Sequence, residues 1–238
     1  EVAKTTQIKG FRPGKAPIKM VESQVDKSRL YSHVLDHVLS PAYSEVIHEH
    51  KLIPLVEPRV TPKGMEEGKD WVMEVIVAVN PEINLGDYSK IVTGALKKHG
   101  KEDKEDKDAK PEAAKDHKLN VIFDALLDGV KFEVAPLLIE EETKSALTRL
   151  SSQLSSLKLS IADYAKSIKK TAEELVEEYK KSAEANLKLE FILQKLIEDK
   201  KPEVTEAEVA EMKPQKGQEG YAKYVLQKRK VLDFLSEL

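Results

Sequence analysis

Two arrangements of apolar residues divide the chain. Between Asp70 and Val79 the run Asp-Trp-Val-Met-Glu-Val-Ile-Val-Ala-Val is rich in β-branched side chains and is closed by Asn80-Pro81, which predicts a strand. From Leu119 onward the apolar positions recur at three- and four-residue intervals, which predicts helices. Leu119, Ile122, Phe123, Leu126 and Leu127 form a first amphipathic face ending near Gly129. Phe132 to Pro136 reads as an extended step. Leu147, Leu150, Leu154, Leu157, Ile161, Tyr164 and Ile168 then follow the spacing of a long coiled-coil seam. The caps divide that seam. Ser160-Ile-Ala-Asp163 and Thr171-Ala-Glu-Glu174 both fit the capping box, in which the first side chain accepts from an orphan N–H. The expectation is three helices, near 137–157, 161–168 and 172–199. Thr205-Glu-Ala-Glu208 is a third such box. A last helix near 218–237 carries Tyr221, Tyr224, Val225, Val231, Leu232, Phe234 and Leu235.

The first half is mixed. Residues 1–9 read as the end of a helix. Gly10-Phe11-Arg12-Pro13-Gly14-Lys15-Ala16-Pro17 holds two glycines and two prolines, hence a loop, with Pro17 suited to a helix start. A short helix through Ile18, Met20 and Val21 follows. A longer one spans about 27–50, with Leu30, Val34, Leu35, Val38, Leu39, Ala42, Val46 and Ile47 on one broad face and Pro41 expected to kink or divide it. Residues 52–62, with three prolines, read as an extended edge segment pairing antiparallel with the strand at 70–79. The fold class is therefore α+β: a small α+β unit over residues 1–86, a charged linker over 87–118, and a mostly α-helical unit over 119–238.

Composition narrows the chemistry. The chain has 238 residues, 39 lysines and arginines against 42 acids, and no cysteine. Disulfides, thiolate metal sites and a cysteine nucleophile are excluded. A net charge of −3 rules out wholesale polyanion binding, and 5% aromatics speaks against a base-stacking platform. Charge is uneven: residues 1–30 carry +4 and the remainder −7, so the two ends are suited to different partners. Residues 97–118 set eight lysines against seven acids without one large apolar side chain, and read as a linker or a solvated helix.

Little points to catalysis. His33 and His37 stand at i and i+4, a spacing that can ligate a metal from one helix face. The glutamate of His-Glu-x-x-His is missing there, and a metal would need a third ligand with its supporting shell, so partly exposed helix histidines are the simpler account of the pair. No phosphate-binding glycine loop and no Gly-x-Ser-x-Gly elbow is present. No cofactor, no metal and no catalytic residue is expected. The loop at 10–17 stands apart. A phenylalanine beside an arginine at a glycine- and proline-framed tip has the composition of an interface anchor, and the nearby lysines suit phosphate contacts. The alternative is that Phe11 packs into its own domain.

Ile8-Lys-Gly-Phe-Arg-Pro-Gly-Lys-Ala-Pro17 resembles the signature loop of trigger factor, the ribosome-associated bacterial chaperone family. The family pattern Gly-Phe-Arg-x-Gly-x-x-Pro is met by Gly10, Phe11, Arg12, Gly14 and Pro17. The strand at 70–79 with Asn80-Pro81-Glu82-Ile83 is similar to the rest of the ribosome-binding domain. Phe132 to Glu140, residues 160–179 and Lys230 to Leu235 resemble the carboxy-terminal helical domain. The resemblance implies an ATP-independent cytoplasmic chaperone. Gly10, Phe11, Arg12, Pro13, Gly14 and Lys15 would dock on a large-subunit ribosomal protein and nearby RNA at the tunnel exit. The helices would cradle nascent or unfolded polypeptide, with a homodimer as an alternative state off the ribosome. An opening strand is expected before Glu1. The isomerase domain of the FKBP type has no room in 87–118, so no prolyl-isomerase activity is expected. A ribosome-independent holdase, a metal-dependent enzyme using His33 and His37, and a prolyl isomerase are the rival readings.

Overall fold

Local chemistry at helix ends sets the architecture. The computed structural model describes residues 10–12, 15–17, 20–21, 27–64, 66, 69–102 and 111–238. The reading of residues 1–9 as a helix end lies outside them. Close contacts divide the chain into two compact units, Glu1–Ile53 and Pro54–Leu238.

In the first unit, α1 spans Lys27–Glu49 and runs undivided through Pro41. Along its described part, Val34, Val38 and Val46 are exposed while Leu35, Leu39 and Ile47 are half-buried, so the broad apolar face is only partly covered. The helix stops at Lys51, whose φ of 50° is left-handed. Lys51 N–H reaches His48 C=O and Leu52 N–H reaches Ile47 C=O, the paired bonds of a Schellman end.

The second unit opens with β1 (Arg59–Gly64) and β2 (Val72–Ile76), an antiparallel pair in register from Arg59 opposite Ile76 to Gly64 opposite Val72, with a bulge between Pro62 and Gly64. The bulge lets Pro62 sit in a strand, since proline cannot donate to the ladder. Both strands are shorter than the runs that predict them. Residues 52–58 form no strand, although Leu55 N–H donates to Ala78 C=O at 2.9 Å.

Seven helices follow among the described residues: α2 (Tyr88–Glu102), α3 (Pro111–Gly129), α4 (Pro136–Ser156), α5 (Ile161–Ser167), α6 (Ala172–Lys200), α7 (Glu206–Glu211) and α8 (Glu219–Glu237). The charged segment 87–118 is thus helical wherever it is described from Tyr88 onward. All three capping boxes form, at Ser160, Thr171 and Thr205, each with both of its hydrogen bonds. The apolar seam breaks at Leu157–Ser160 because α4 ends in a second Schellman motif: Lys158, at φ 58°, donates to Ser155 C=O and Leu159 N–H to Leu154 C=O. Lys169 ends α5 in the same way. Lysine fills a position that glycine occupies at no steric cost, and its charge suits the negative end of the helix dipole.

Three apolar clusters hold this unit. The largest joins α2, α3, α6 and α8 through Val92, Ile122, Leu126, Ile192, Leu196 and Leu235. α2 and α3 approach so closely that a Cβ on Gly129 would lie 2.6 Å from Ile91 Cδ1, which is why a glycine stands there. A second cluster packs Ala78 against Val134, Leu137, Leu138 and Phe191, tying the end of the strand to α4 and α6. The third, Leu150, Leu154, Ala165 and Leu175, closes α4, α5 and α6 at their far end.

Candidate functional site

The loop expected to dock begins with a backbone few residues tolerate. Gly10 has φ +96°, with open space where a Cβ would be. That turn directs the chain into Phe11, which is 40% exposed, and Arg12, which is exposed. Lys15 N–H closes on Arg12 C=O at 3.0 Å, making a tight turn that holds Arg12 and the exposed Lys15 within one loop. Met20 N–H and Val21 N–H both reach Pro17 C=O, so a helical turn starts at the proline as its fixed φ favours. Val21 is buried, which anchors the loop's far side. Phe11 therefore has substantial apolar surface in water beside a cation, the arrangement an interface anchor needs. Pro13 and Gly14 lie outside the described residues.

The structure also sorts the helical apolar residues, which their spacing leaves ambiguous. Leu150, Leu154 and Leu175 are buried. Leu157 (68% exposed), Leu159, Ile168, Val176, Met212 and Tyr221 (71%) are on the surface. Between α4, α5 and α6 an open groove of about 550 Å³ is lined by Leu147, Ile161 and Val176 among Thr143, Ser151 and Lys180. A shallow surface mixing a few apolar side chains with hydroxyls and charges suits weak contact with many sequences.

Polar links keep this surface in place. Arg59 on β1 is paired with Glu140 at the start of α4; the hydrogen bond holds the arginine above its usual range and the carboxylate below its own. Lys230 on α8 reaches Glu208 at 2.6 Å and Glu203 C=O at 2.7 Å. That lysine, with the Thr205 backbone, lowers Glu208 to about 2. Lys200 lies over the rings of Tyr88 and Phe234, at 5.8 and 4.6 Å from their centroids, joining α6 to α2 and α8.

Glu190 on α6 accepts from both Tyr224 and Lys228 of α8. Burial, the largest single influence, pushes the Glu190 pKa up; the two hydrogen bonds and the Lys228 charge together outweigh it and bring the pKa below its usual value. The folded state therefore binds the proton more weakly than the unfolded chain. The stabilisation is fully present above the ordinary glutamate pKa, about 4.3, and is lost as pH falls toward the lower folded value. Thermal melts from pH 7 to pH 3 should show this loss, and Glu190→Gln should lessen it. An unchanged pH profile in the variant would remove Glu190 from the account.

The metal reading of α1 gains nothing. Only the backbone of His33 is described, His37, His48 and His50 are exposed, and no group of three or more potential ligands occurs among the described residues. Among those residues no helix is long and apolar enough to cross a membrane.

Comparison with known proteins agrees with the loop motif and the fold. Residues 1–115 match the family model for bacterial trigger factor protein, and residues 96–236, more than half of the chain, match the model for its C-terminus. The chain belongs to the trigger factor family. Trigger factor of Staphylococcus epidermidis is 39% identical over 88 residues, 37% of this chain and 20% of the relative. That of Brevibacillus brevis is 40% identical over 88 residues, with the same coverage. The match thus spans one fifth of the length of these curated relatives. A solved trigger factor chaperone, described for promiscuous substrate recognition in folding and assembly activities, shares the fold. It superposes with a TM-score of 0.60 over 99% of this chain and 91% of its own, at 15% identity.

Proposed function

We propose that this trigger factor family member is an ATP-independent chaperone. It docks at the ribosomal tunnel exit through Gly10, Phe11, Arg12, Pro13, Gly14 and Lys15 and shields emerging polypeptides. The observation that carries the docking half is the exposure of Phe11 and Arg12 on a turn built by Gly10. Phe11 would fill an apolar pocket on a large-subunit protein. Arg12 and Lys15 would sit against rRNA phosphates, which position without reading sequence. In this reading residues 1–86 serve ribosome binding, 87–118 form a charged connection and 119–238 receive clients. The setting is the bacterial cytoplasm, where the partners are ribosomes and unfolded chains, with a homodimer formed off the ribosome.

The client half is supported by Leu157, Leu159 and Ile168 in the turns that end α4 and α5, and by Val176 and Tyr221 on α6 and α8, apolar side chains left in water. Such separated patches each add modest affinity, so clients are held and released without an energy source. Catalysis has no part in the proposal.

The test is a client diluted from denaturant with one equivalent of the chain. Suppressed light scattering without ATP, with proline-peptide isomerisation at the background rate, is the expected result. Scattering equal to that of the client alone sinks the chaperone reading. A second reading, a holdase working off the ribosome, draws on the same helical surface and needs no loop. Ribosome pelleting separates the two.

A further inference from the structure

The groove between α4, α5 and α6 holds one charge that its surroundings leave unmatched. Among the described residues, three charged side chains line it: Glu140, Lys144 and Lys180. Glu140 is committed to Arg59 of β1. Lys144 stands 3.6 Å from Glu141. Lys180 makes no ion pair among the described residues, and is felt at Glu140 only as a Coulomb attraction. Elsewhere on α6, Glu178 is taken by Lys170, and Glu184 by Lys188 at 2.6 Å. Glu173 and Glu177 are exposed and do not line the groove. By engaging Glu140, Arg59 leaves a free cation beside an apolar floor.

We propose, resting on the chaperone reading above, that this groove selects extended client segments in which a branched apolar residue stands two positions from a carboxylate. The apolar side chain covers Val176 between Leu147 and Ile161, and the carboxylate meets Lys180. Val176 is 42% exposed, and Leu147 and Ile161 are half-buried, so apolar surface is there to be covered.

Spacing sets the pattern. Val176 and Lys180 stand four residues apart on one face of α6, a rise of about 6 Å. Two side chains on the same side of an extended segment are two positions apart, about 6.7 Å. An acid directly beside the apolar residue points to the opposite side and misses Lys180.

The α4 wall favours an extended occupant over a helical one. The hydroxyls of Thr148 and Ser152 donate to the carbonyls of Lys144 and Thr148 in their own helix. A hydroxyl whose proton is committed still accepts hydrogen bonds. Both residues are exposed, so they offer acceptors at the groove. An extended segment has free backbone N–H groups to donate there, whereas a helix has already spent its own. Arg59 is a positioning residue in this account: it acts through Glu140.

The test mixes the full chain with labelled eight-residue peptides that differ in one motif, Leu-x-Asp, Leu-x-Asn or Leu-Asp-x. Fluorescence anisotropy at low salt should show Leu-x-Asp binding about threefold more tightly than the other two, the scale of an exposed ion pair. High salt should close that gap. Lys180→Gln should bind the three peptides equally, and Lys180→Arg should keep the preference. Val176→Ser should weaken all three. Arg59→Gln should narrow the gap without weakening Leu-x-Asn, because Glu140 is then free to turn to Lys180. Circular dichroism confirms that each variant is folded. A preference for Leu-x-Asp that survives Lys180→Gln overturns the proposal. Equal binding of the three peptides by the parent chain overturns it too, and suppressed client aggregation in that case leaves the chaperone reading standing. No binding of any peptide, with aggregation unsuppressed, removes both.

Discussion

A chain carrying Phe11→Ala and Arg12→Ala should stay folded and lose its pelleting with bacterial ribosomes at moderate salt. Both side chains are exposed, so their truncation opens no cavity in the fold. True anchors cost about 2 kcal/mol or more when truncated, which is about a 30-fold loss of affinity. The two changes act differently. Phe11→Ala removes apolar contact and should weaken pelleting at every salt concentration. Arg12→Ala, or more strongly Arg12→Glu, removes a phosphate-facing charge and should flatten the salt dependence. Pelleting of the double variant equal to that of the parent chain would take the loop out of the docking account. Unfolding of the variant would make the loop structural. Failure of the parent chain itself to pellet would favour the holdase that works off the ribosome.

Leu196→Ala should be the most damaging single truncation in the helical unit. Leu196 is 0% exposed and lies in the cluster shared by α2, α3, α6 and α8. Removing its outer carbons loses burial and leaves a cavity, at a cost of about 2–5 kcal/mol. Domain stability is itself about 5–15 kcal/mol, so the melting temperature should fall by on the order of 10 °C. The single tryptophan, Trp71, belongs to the same unit and reports its unfolding by fluorescence. Leu157→Ala is the contrast. At 68% exposure it should change stability by less than about 0.5 kcal/mol while weakening client retention. A stable Leu196→Ala variant would mean that the four helices do not share one core.

The helix pattern was readable because its signals are local. Ser160, Thr171 and Thr205 are each followed three residues later by an acid, and each starts a helix where that spacing says it should. The helix ends carry a weaker signal. Lys51, Lys158 and Lys169 adopt the left-handed conformation, and lysine in a sequence otherwise rich in lysine does not announce a stop. The described residues of 88–118 are helical, the solvated-helix alternative of the sequence reading, because α2 buries Val92 ahead of the charged stretch and α3 buries Ile122 and Leu126 beyond it. Pro41 does not divide α1; a single missing N–H is tolerated within a helix of 23 residues.

The candidate docking loop was legible as a loop from residue types, since two glycines, two prolines, a phenylalanine and an arginine fall within eight consecutive positions; the exposure of Phe11 and the positive φ of Gly10 came only from the structure. The surface proposed for clients was not. Leu154 and Leu157 belong to one apolar seam, yet the first is buried and the second is in water. Only the break at Lys158 and the return of α5 decide between them. His99 with His117, Arg59 with Glu140, and Glu190 with Tyr224 and Lys228 were equally hidden, because each pair joins residues 18 or more positions apart.

By itself, then, the sequence determined the α+β class, the starts of the capped helices, the loop at 10–17 and the family to which the chain belongs. Each of these rests on interactions within a turn or two of chain, where spacing and chemistry suffice. The tertiary structure alone decided which apolar residues form the core and which stay in water. It also decided which charges meet and which two histidines pair. Those outcomes depend on how helices pack, and packing is set by the summed burial of many side chains rather than by any short run of them.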